Sequence, residues 1–92
     1  MENKLNTLGL AYRANKLILG EEVFNEMQKI KLIIIASDIS QLSKQRLVKK
    51  CNYYSINYID CYTSKQLSNA LGKNMIKTIG VIDDGFAKLL DK

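Results

Sequence analysis

LIIIA, at residues 32–36, is apolar without a break, while the segments around it repeat their apolar residues every three or four positions. The unbroken run predicts a strand covered on both faces, and the three-to-four spacing predicts amphipathic helices. Leu5, Leu8, Ala11 and Tyr12 place a helix over residues 3–15, begun by Asn3 or Glu2 and closed by Asn15 in the left-handed conformation. Leu17, Ile18 and Leu19 form a short strand that stops at Gly20. A second helix over 21–29 then carries Val23, Phe24 and Met27.

After the LIIIA strand, Asp38 and Ser40 are cap-type residues for a helix from about Leu42 to Tyr54. Its Leu47, Cys51 and Tyr54 face inward, and Lys44, Arg46, Lys49 and Lys50 face water. YSINYID supplies a strand centred on Ile56, Tyr58 and Ile59. Thr63 or Ser64 caps a short helix with Leu67, Ala70 and Leu71, which Gly72 ends. IKTIGVI, residues 76–82, is the last strand. Asp83 and Asp84 cap a final helix with Phe86, Leu89 and Leu90 inward. Helices alternating with strands predict an α/β fold in which helices cover both faces of one central sheet, an α-β-α sandwich. No linker, repeat or low-complexity segment interrupts the 92 residues, so one domain spanning 1–92 is expected.

Composition narrows the function. The chain has no histidine, which removes the commonest general base and the Ser-His and Cys-His pairings. It also leaves Cys51 and Cys61 unable to complete a zinc site of the usual Cys/His type. Two free, reduced, largely buried thiols are expected, with no metal, cofactor or catalytic residue. No glycine-rich phosphate loop supports a small nucleotide-binding enzyme. No apolar run approaches the roughly 18 residues of a membrane span, and MENKLNTL shows no secretory h-region. A cytoplasmic location and no membrane partner are therefore expected; a monomer is expected as well, although nothing in the sequence sets the oligomeric state. The net charge of +5 points to an anionic partner, with nucleic acid the most common.

Four ordered blocks then carry a resemblance: LGLAYRANKLILGEE, LIIIASD, SKQLSNALGK and IGVIDDGFAKLL. Together, over about residues 7–90, they resemble the kink-turn RNA-binding ribosomal protein family of the L-seven-Ae and L-thirty-e type, and within it the short bacterial members. The resemblance implies a three-layer α-β-α sandwich with a mixed, mainly four-stranded sheet. It implies an RNA-binding edge of three segments: the glycine turn with the start of the second helix, the end of the strand leading to an A-E-D type motif, and the loop before the final strand. The glycine of the family's G-T-N-E-x-x-K motif falls on Gly20, its threonine on Glu21, its asparagine on Glu22, its glutamate on Val23 and its lysine on Glu26. The A-E-D segment falls on Ala36, Ser37 and Asp38, and the loop on Lys73, Asn74, Met75 and Ile76.

The residues themselves leave two readings open at this edge. Glu21 and Glu22 can be a helix start, where carboxylates complement the dipole by roughly 0.3–1 kcal/mol each. They can also accept hydrogen bonds from guanine N–H donors, since an ionised carboxylate is acceptor-only. Lys16, with Lys31, Lys73 and Lys77, would offset their repulsion of phosphates. In KNMIK, Met75 and Ile76 can cover an extruded base between lysines that meet phosphates, or Ile76 can simply begin the last strand with Met75 packed at its edge. Lys44, Arg46, Lys49 and Lys50 are either a solvated helix face or a second phosphate-contacting surface. Tyr53, Tyr54, Tyr58 and Tyr62 are expected in core and rim packing. Asp83-Asp84-Gly85 is better explained by capping than by metal binding.

The expected function is non-enzymatic recognition of kink-turn or similarly bent structured RNA, including ribosomal RNA, linked to the ribosome and translation. The expected contacts are Lys16, Gly20, Glu21, Glu22, Val23, Ser37, Asp38, Lys73, Asn74, Met75 and Ile76. The alternative is a protein-interaction module of the translation apparatus that kept the fold and lost RNA affinity.

Overall fold

The computed structural model describes residues 4–91. Its elements run α1 (Lys4–Arg13), β1 (Leu17–Leu19), α2 (Glu22–Asn25), a 3₁₀ turn (Met27–Lys29), β2 (Leu32–Ile35), α3 (Gln41–Tyr54), β3 (Asn57–Ile59), α4 (Ser64–Leu71), β4 (Thr78–Val81) and α5 (Asp84–Leu90). The sheet order is β1-β4-β2-β3, with β4 antiparallel to both β1 and β2 and β3 parallel to β2. This is the mixed four-stranded sheet that the resemblance implied.

β2 shows why an unbroken apolar run is needed. Its side chains alternate between faces: Leu32 and Ile34 join a core with Leu8, Leu67, Ile79 and Leu90, while Ile33 and Ile35 join another with Val23, Met27, Leu47 and Cys51. α1, α4 and α5 therefore cover one face, and α2, the 3₁₀ turn and α3 cover the other. Burying each such Leu or Ile stabilises the fold by roughly 1.5–3 kcal/mol. β4 follows the same parity with one substitution of space for side chain. Ile79 and Val81 face the first core, and Gly80 leaves the opposite face open for Ile30.

Caps fix the helix boundaries. Ser40 Oγ accepts from the Ser43 N–H (3.2 Å) at the start of α3. Thr63 and Gln66 form a reciprocal capping box on α4, which ends at Gly72 in the left-handed conformation. Asp83 accepts from the Phe86 N–H (2.9 Å) to start α5. Asn15 also has positive φ (63°), as the end of the first helix requires. The expected starters of that helix, Glu2 and Asn3, lie outside the described residues.

Several expectations are corrected. The helix over 21–29 is only Glu22–Asn25, followed by the 3₁₀ turn. No residue there forbids a helix, but Ile30 must pack on Gly80 and the Lys31 N–H must pair with the Val81 carbonyl (2.7 Å), so the chain turns back to the sheet. Ile56 precedes β3 and packs into the α3-side core, and Ile76 precedes β4. Leu89 is exposed, as are Tyr53, Tyr54 and Tyr58. Cys51 is buried but Cys61 is exposed, and both are free. Lys44 is tied to Asp60 by an ion pair rather than standing in water alone. Asp38 does not cap the helix that follows it. Among the described residues, no helix is long and apolar enough to cross a membrane.

Candidate nucleic-acid interface

Strand direction decides which candidate residues can meet. β4 runs against β1 and β2, and Leu19 pairs with Ile79 while Ile35 pairs with Thr78. The residues just after β1 and β2 and just before β4 therefore share one end of the sheet. Hydrogen bonds close that end: the Gly20 N–H donates to the Thr78 carbonyl (3.1 Å) and the Ala36 N–H to the Lys77 carbonyl (2.9 Å). The Ser37 N–H donates to the Tyr62 carbonyl (2.8 Å), which ties the turn after β2 to the approach to α4. Gly20, Glu21, Glu22, Ser37 and Asp38 are exposed here.

Gly20 sits at φ 64° and its carbonyl accepts from the Val23 N–H (3.1 Å). The left-handed conformation costs a residue with a Cβ roughly 1–2 kcal/mol, which explains the glycine locally. The two glutamates after it diverge. Glu21 lines a groove with Ser43, Arg46, Lys77 and Thr78 on the α3 side. Glu22 lines a different groove with Leu17, Lys29 and Ile82 along the outer face of β1, and its carboxylate accepts from the Asn25 side chain (3.3 Å). Of the two, Glu21 is the one with Lys77 of the closed end, and Arg46 of α3, lining the same groove. A four-residue α2 offers little dipole, so side chains must carry any recognition at this turn.

The loop before β4 is shaped by burial. The Ile76 N–H donates to the buried Ser68 hydroxyl (2.9 Å), and Ile76 itself enters the α4-side core. Pulling Ile76 inward leaves Met75 at φ 59° and 77% exposed. An apolar side chain held in water on strained backbone is the least explained feature of the loop by packing alone. Asn74 is exposed next to it.

Four expected contacts are relocated. Val23 is fully buried in the α3-side core and offers no side chain to a ligand. Ile76 is buried for the reason just given. Lys16 precedes β1, its carbonyl accepts from the Ile82 N–H (3.0 Å), and it stands at the opposite end of the sheet, about 13 Å along the strand from Gly20. Lys31 lies at that far end too. Lys73 turns towards α1, its ammonium 5.7 Å from the centre of the Tyr12 ring. Lys77 is the cation that remains at the closed end. Its field, after the stronger effect of hydrogen bonds from Ser64, helps hold the Asp38 carboxyl below its usual range. Asp38 accepts from both the N–H and the hydroxyl of Ser64 (2.9 and 3.0 Å), so its oxygens already have partners.

The structure adds a basic and aromatic groove that the expected contacts omit. Arg46, Lys49, Lys50, Tyr53 and Tyr54 recur at three- and four-residue spacing on α3 and face Phe24 of α2 across it. The signal lies in reading cations and tyrosines as one stripe instead of two separate groups.

Comparison with known proteins gives this geometry a context. The sequence pattern of the family described as "Ribosomal protein L7Ae/L30e/S12e/Gadd45 family" matches residues 3–91. The chain is 35% identical to the RNA-binding protein YlxQ of Enterococcus faecium, over 95% of this chain and 86% of that protein. It is 34% identical to the large ribosomal subunit protein eL30 of Sulfurisphaera tokodaii, over 99% and 88% of the two chains. A Bacillus halodurans protein of unknown function superposes with a TM-score of 0.87 at 34% identity, covering all of both chains. A Giardia lamblia 15.5kD RNA binding protein shares the fold, with a TM-score of 0.79 at 17% identity over 95% of this chain and 78% of that one.

Proposed function

This chain belongs to the ribosomal protein L7Ae/L30e/S12e/Gadd45 family, and from that premise we propose that it is a non-enzymatic RNA-binding protein of the cytoplasm. The whole chain acts as one domain, linked to the ribosome, and recognises kink-turn or similarly bent RNA. Two relatives at 35% and 34% identity, named for RNA binding and for the large ribosomal subunit, support this reading.

The observation that carries it is the meeting of three segments at one end of the sheet: the Gly20 turn, Ser37, and the loop that exposes Met75. A sharply bent RNA presents crowded phosphates, open base edges and an extruded base. In this reading Glu21 accepts from guanine N–H donors, Met75 covers the extruded base, and Lys77 meets phosphate. The turn at Gly20 admits the RNA backbone because no Cβ stands in the way. Glu21 beside Lys77 favours shape over bulk charge, since a carboxylate at the edge repels every phosphate not held by a better contact.

The test is a titration of a kink-turn duplex and of the same duplex with its sheared G·A pairs made Watson–Crick, at two salt concentrations. Tighter binding to the kink-turn form is expected, with Glu21→Lys raising binding to both and narrowing the difference. Equal affinities with a steep salt slope would mean generic phosphate attraction. No binding at low salt would leave a protein-interaction module as the reading.

A further inference from the structure

We propose that the groove between α2 and α3 holds unpaired nucleotides that flank the structured RNA bound at the sheet end, an inference that rests on the function proposed above. The groove has a volume of about 800 Å³ and is walled by Phe24, Arg46, Lys49, Lys50, Tyr53 and Tyr54. Three of these walls are cations, three are aromatic rings, and none is a carboxylate.

Solvation alone explains lysines on a helix, whose stems lie along the surface with their charges in water. It does not explain the rings among them. Tyr53 is 81% exposed, and Phe24 and Tyr54 keep more than a third of their surface in water. Tyr53 and Tyr54 meet edge to face, with ring centres 4.9 Å apart and planes at 79°, so they do not stack on each other. That contact covers one ring face of the pair and leaves most of Tyr53 in water; exposed ring surface beside cations is what a single strand requires, since bases stack on rings and phosphates pair with cations. Duplex RNA keeps its base faces stacked internally and cannot use them.

The stripe from Arg46 to Tyr54 spans about 12 Å of helix, enough for a short run of nucleotides. It is also continuous with the proposed edge. Phe24 and Arg46 line both this groove and the neighbouring one that contains Glu21, Lys77 and Thr78. A strand leaving the bent RNA at the sheet end therefore passes Arg46 before it reaches Tyr53. This continuity with the proposed RNA edge, together with rings on which bases can stack, selects RNA over an acidic peptide as the occupant.

The experiment uses the full chain and three fluorescent probes: a blunt kink-turn hairpin, the same hairpin with an extension of about six uridines, and a free oligouridine of about twelve. The extension is expected to tighten binding about tenfold. Tyr53→Ala should remove that gain and leave blunt-hairpin binding unchanged, while Tyr53→Phe, which keeps the ring, should retain it. Lys49→Ala with Lys50→Ala should lower the salt slope of the extended probe by about 0.7 for each phosphate that the two ammonium groups neutralise. The inference is overturned if the extension adds nothing, or if its gain survives Tyr53→Ala. It is equally overturned if polyglutamate of matched charge competes with the extension on wild type as well as the oligouridine does, the result expected of a surface that reads charge alone. Loss of hairpin binding with oligouridine binding that remains sensitive to Tyr53→Ala would sink the kink-turn reading and keep the groove.

Discussion

Asp38 and Ser64, 26 residues apart, are joined by two hydrogen bonds, the Asp38 carboxylate accepting from the Ser64 N–H at 2.9 Å and from its hydroxyl at 3.0 Å. Ser64 is the first residue of α4, so its N–H has no partner within the helix. Asp38 supplies one from the turn after β2 and locks that turn to α4. An aspartate that resembles part of a binding motif thus holds the frame of the proposed edge.

The pH dependence follows from that geometry. Hydrogen bonds from Ser64, chiefly from its N–H, hold the Asp38 carboxyl below its ordinary value of 3.8. A depressed carboxyl contributes stability that is fully present above the unfolded value and is lost as pH falls through the folded one. Asp38→Asn should therefore melt below wild type at neutral pH, and the gap should close as pH drops below 3.8. Thermal melts of both proteins from pH 7 to pH 2 measure it; a gap independent of pH would show that ionisation of Asp38 does not matter.

Much of this fold is written in local pattern. The LIIIA run, the caps at Ser40, Thr63 and Asp83, and the left-handed ends at Asn15 and Gly72 need only near neighbours, and the strands and helices follow from them. The site is harder because it depends on direction and burial. Lys16 is four positions from Gly20 in sequence, yet β1 carries it to the far end of the sheet. Val23 and Ile76 look as available as their neighbours until the two cores claim them. Neighbours at a helix start point about 100° apart, so GEE implies that its two carboxylates diverge, but which groove each one meets depends on how α2 packs on the sheet.

Gly80 should be intolerant of a side chain. A Cβ there would stand 2.6 Å from Ile30 Cδ1 and 3.0 Å from its Cγ1. Gly80→Ala should cost about 1–3 kcal/mol by overpacking and lower the urea midpoint by about 1 M. Shortening Ile30 to Val removes the closest atom, so Gly80→Ala with Ile30→Val should be more stable than the sum of the two single changes. Simple additivity in the double-mutant cycle would show that the clash is relieved elsewhere.

The two thiols should react at different stages of unfolding. Cys51 is fully buried, and burial pushes its thiol up to about 11. At pH 8 about one part in a thousand is thiolate, and reagent has no path to it without local opening. Cys61 is exposed. An aromatic disulfide reagent should thus titrate one equivalent quickly in native protein and the second only with denaturant. Native Cys61→Ser should show almost no fast reaction; a full fast equivalent from that variant would mean that the α3-side core opens readily.

Met75 separates strain from binding. Its φ of 59° costs roughly 1–2 kcal/mol for a residue with a Cβ, and its side chain lies 77% in water, so the folded protein gains little from it. Met75→Gly relieves the strain and adds the backbone entropy of glycine, roughly 0.5–1 kcal/mol in the other direction. The melting temperature should therefore hold or rise by a few degrees. If Met75 covers an extruded base, the same change removes that apolar cover and weakens kink-turn binding by about tenfold. Met75→Leu, which keeps an apolar side chain of similar volume and the same strain, should keep most of the wild-type affinity and melt close to wild type. Affinity unchanged by Met75→Gly would remove the loop from the proposed interface. A fall in stability would instead assign Met75 to packing, since the strain would then be offset by contacts within the protein.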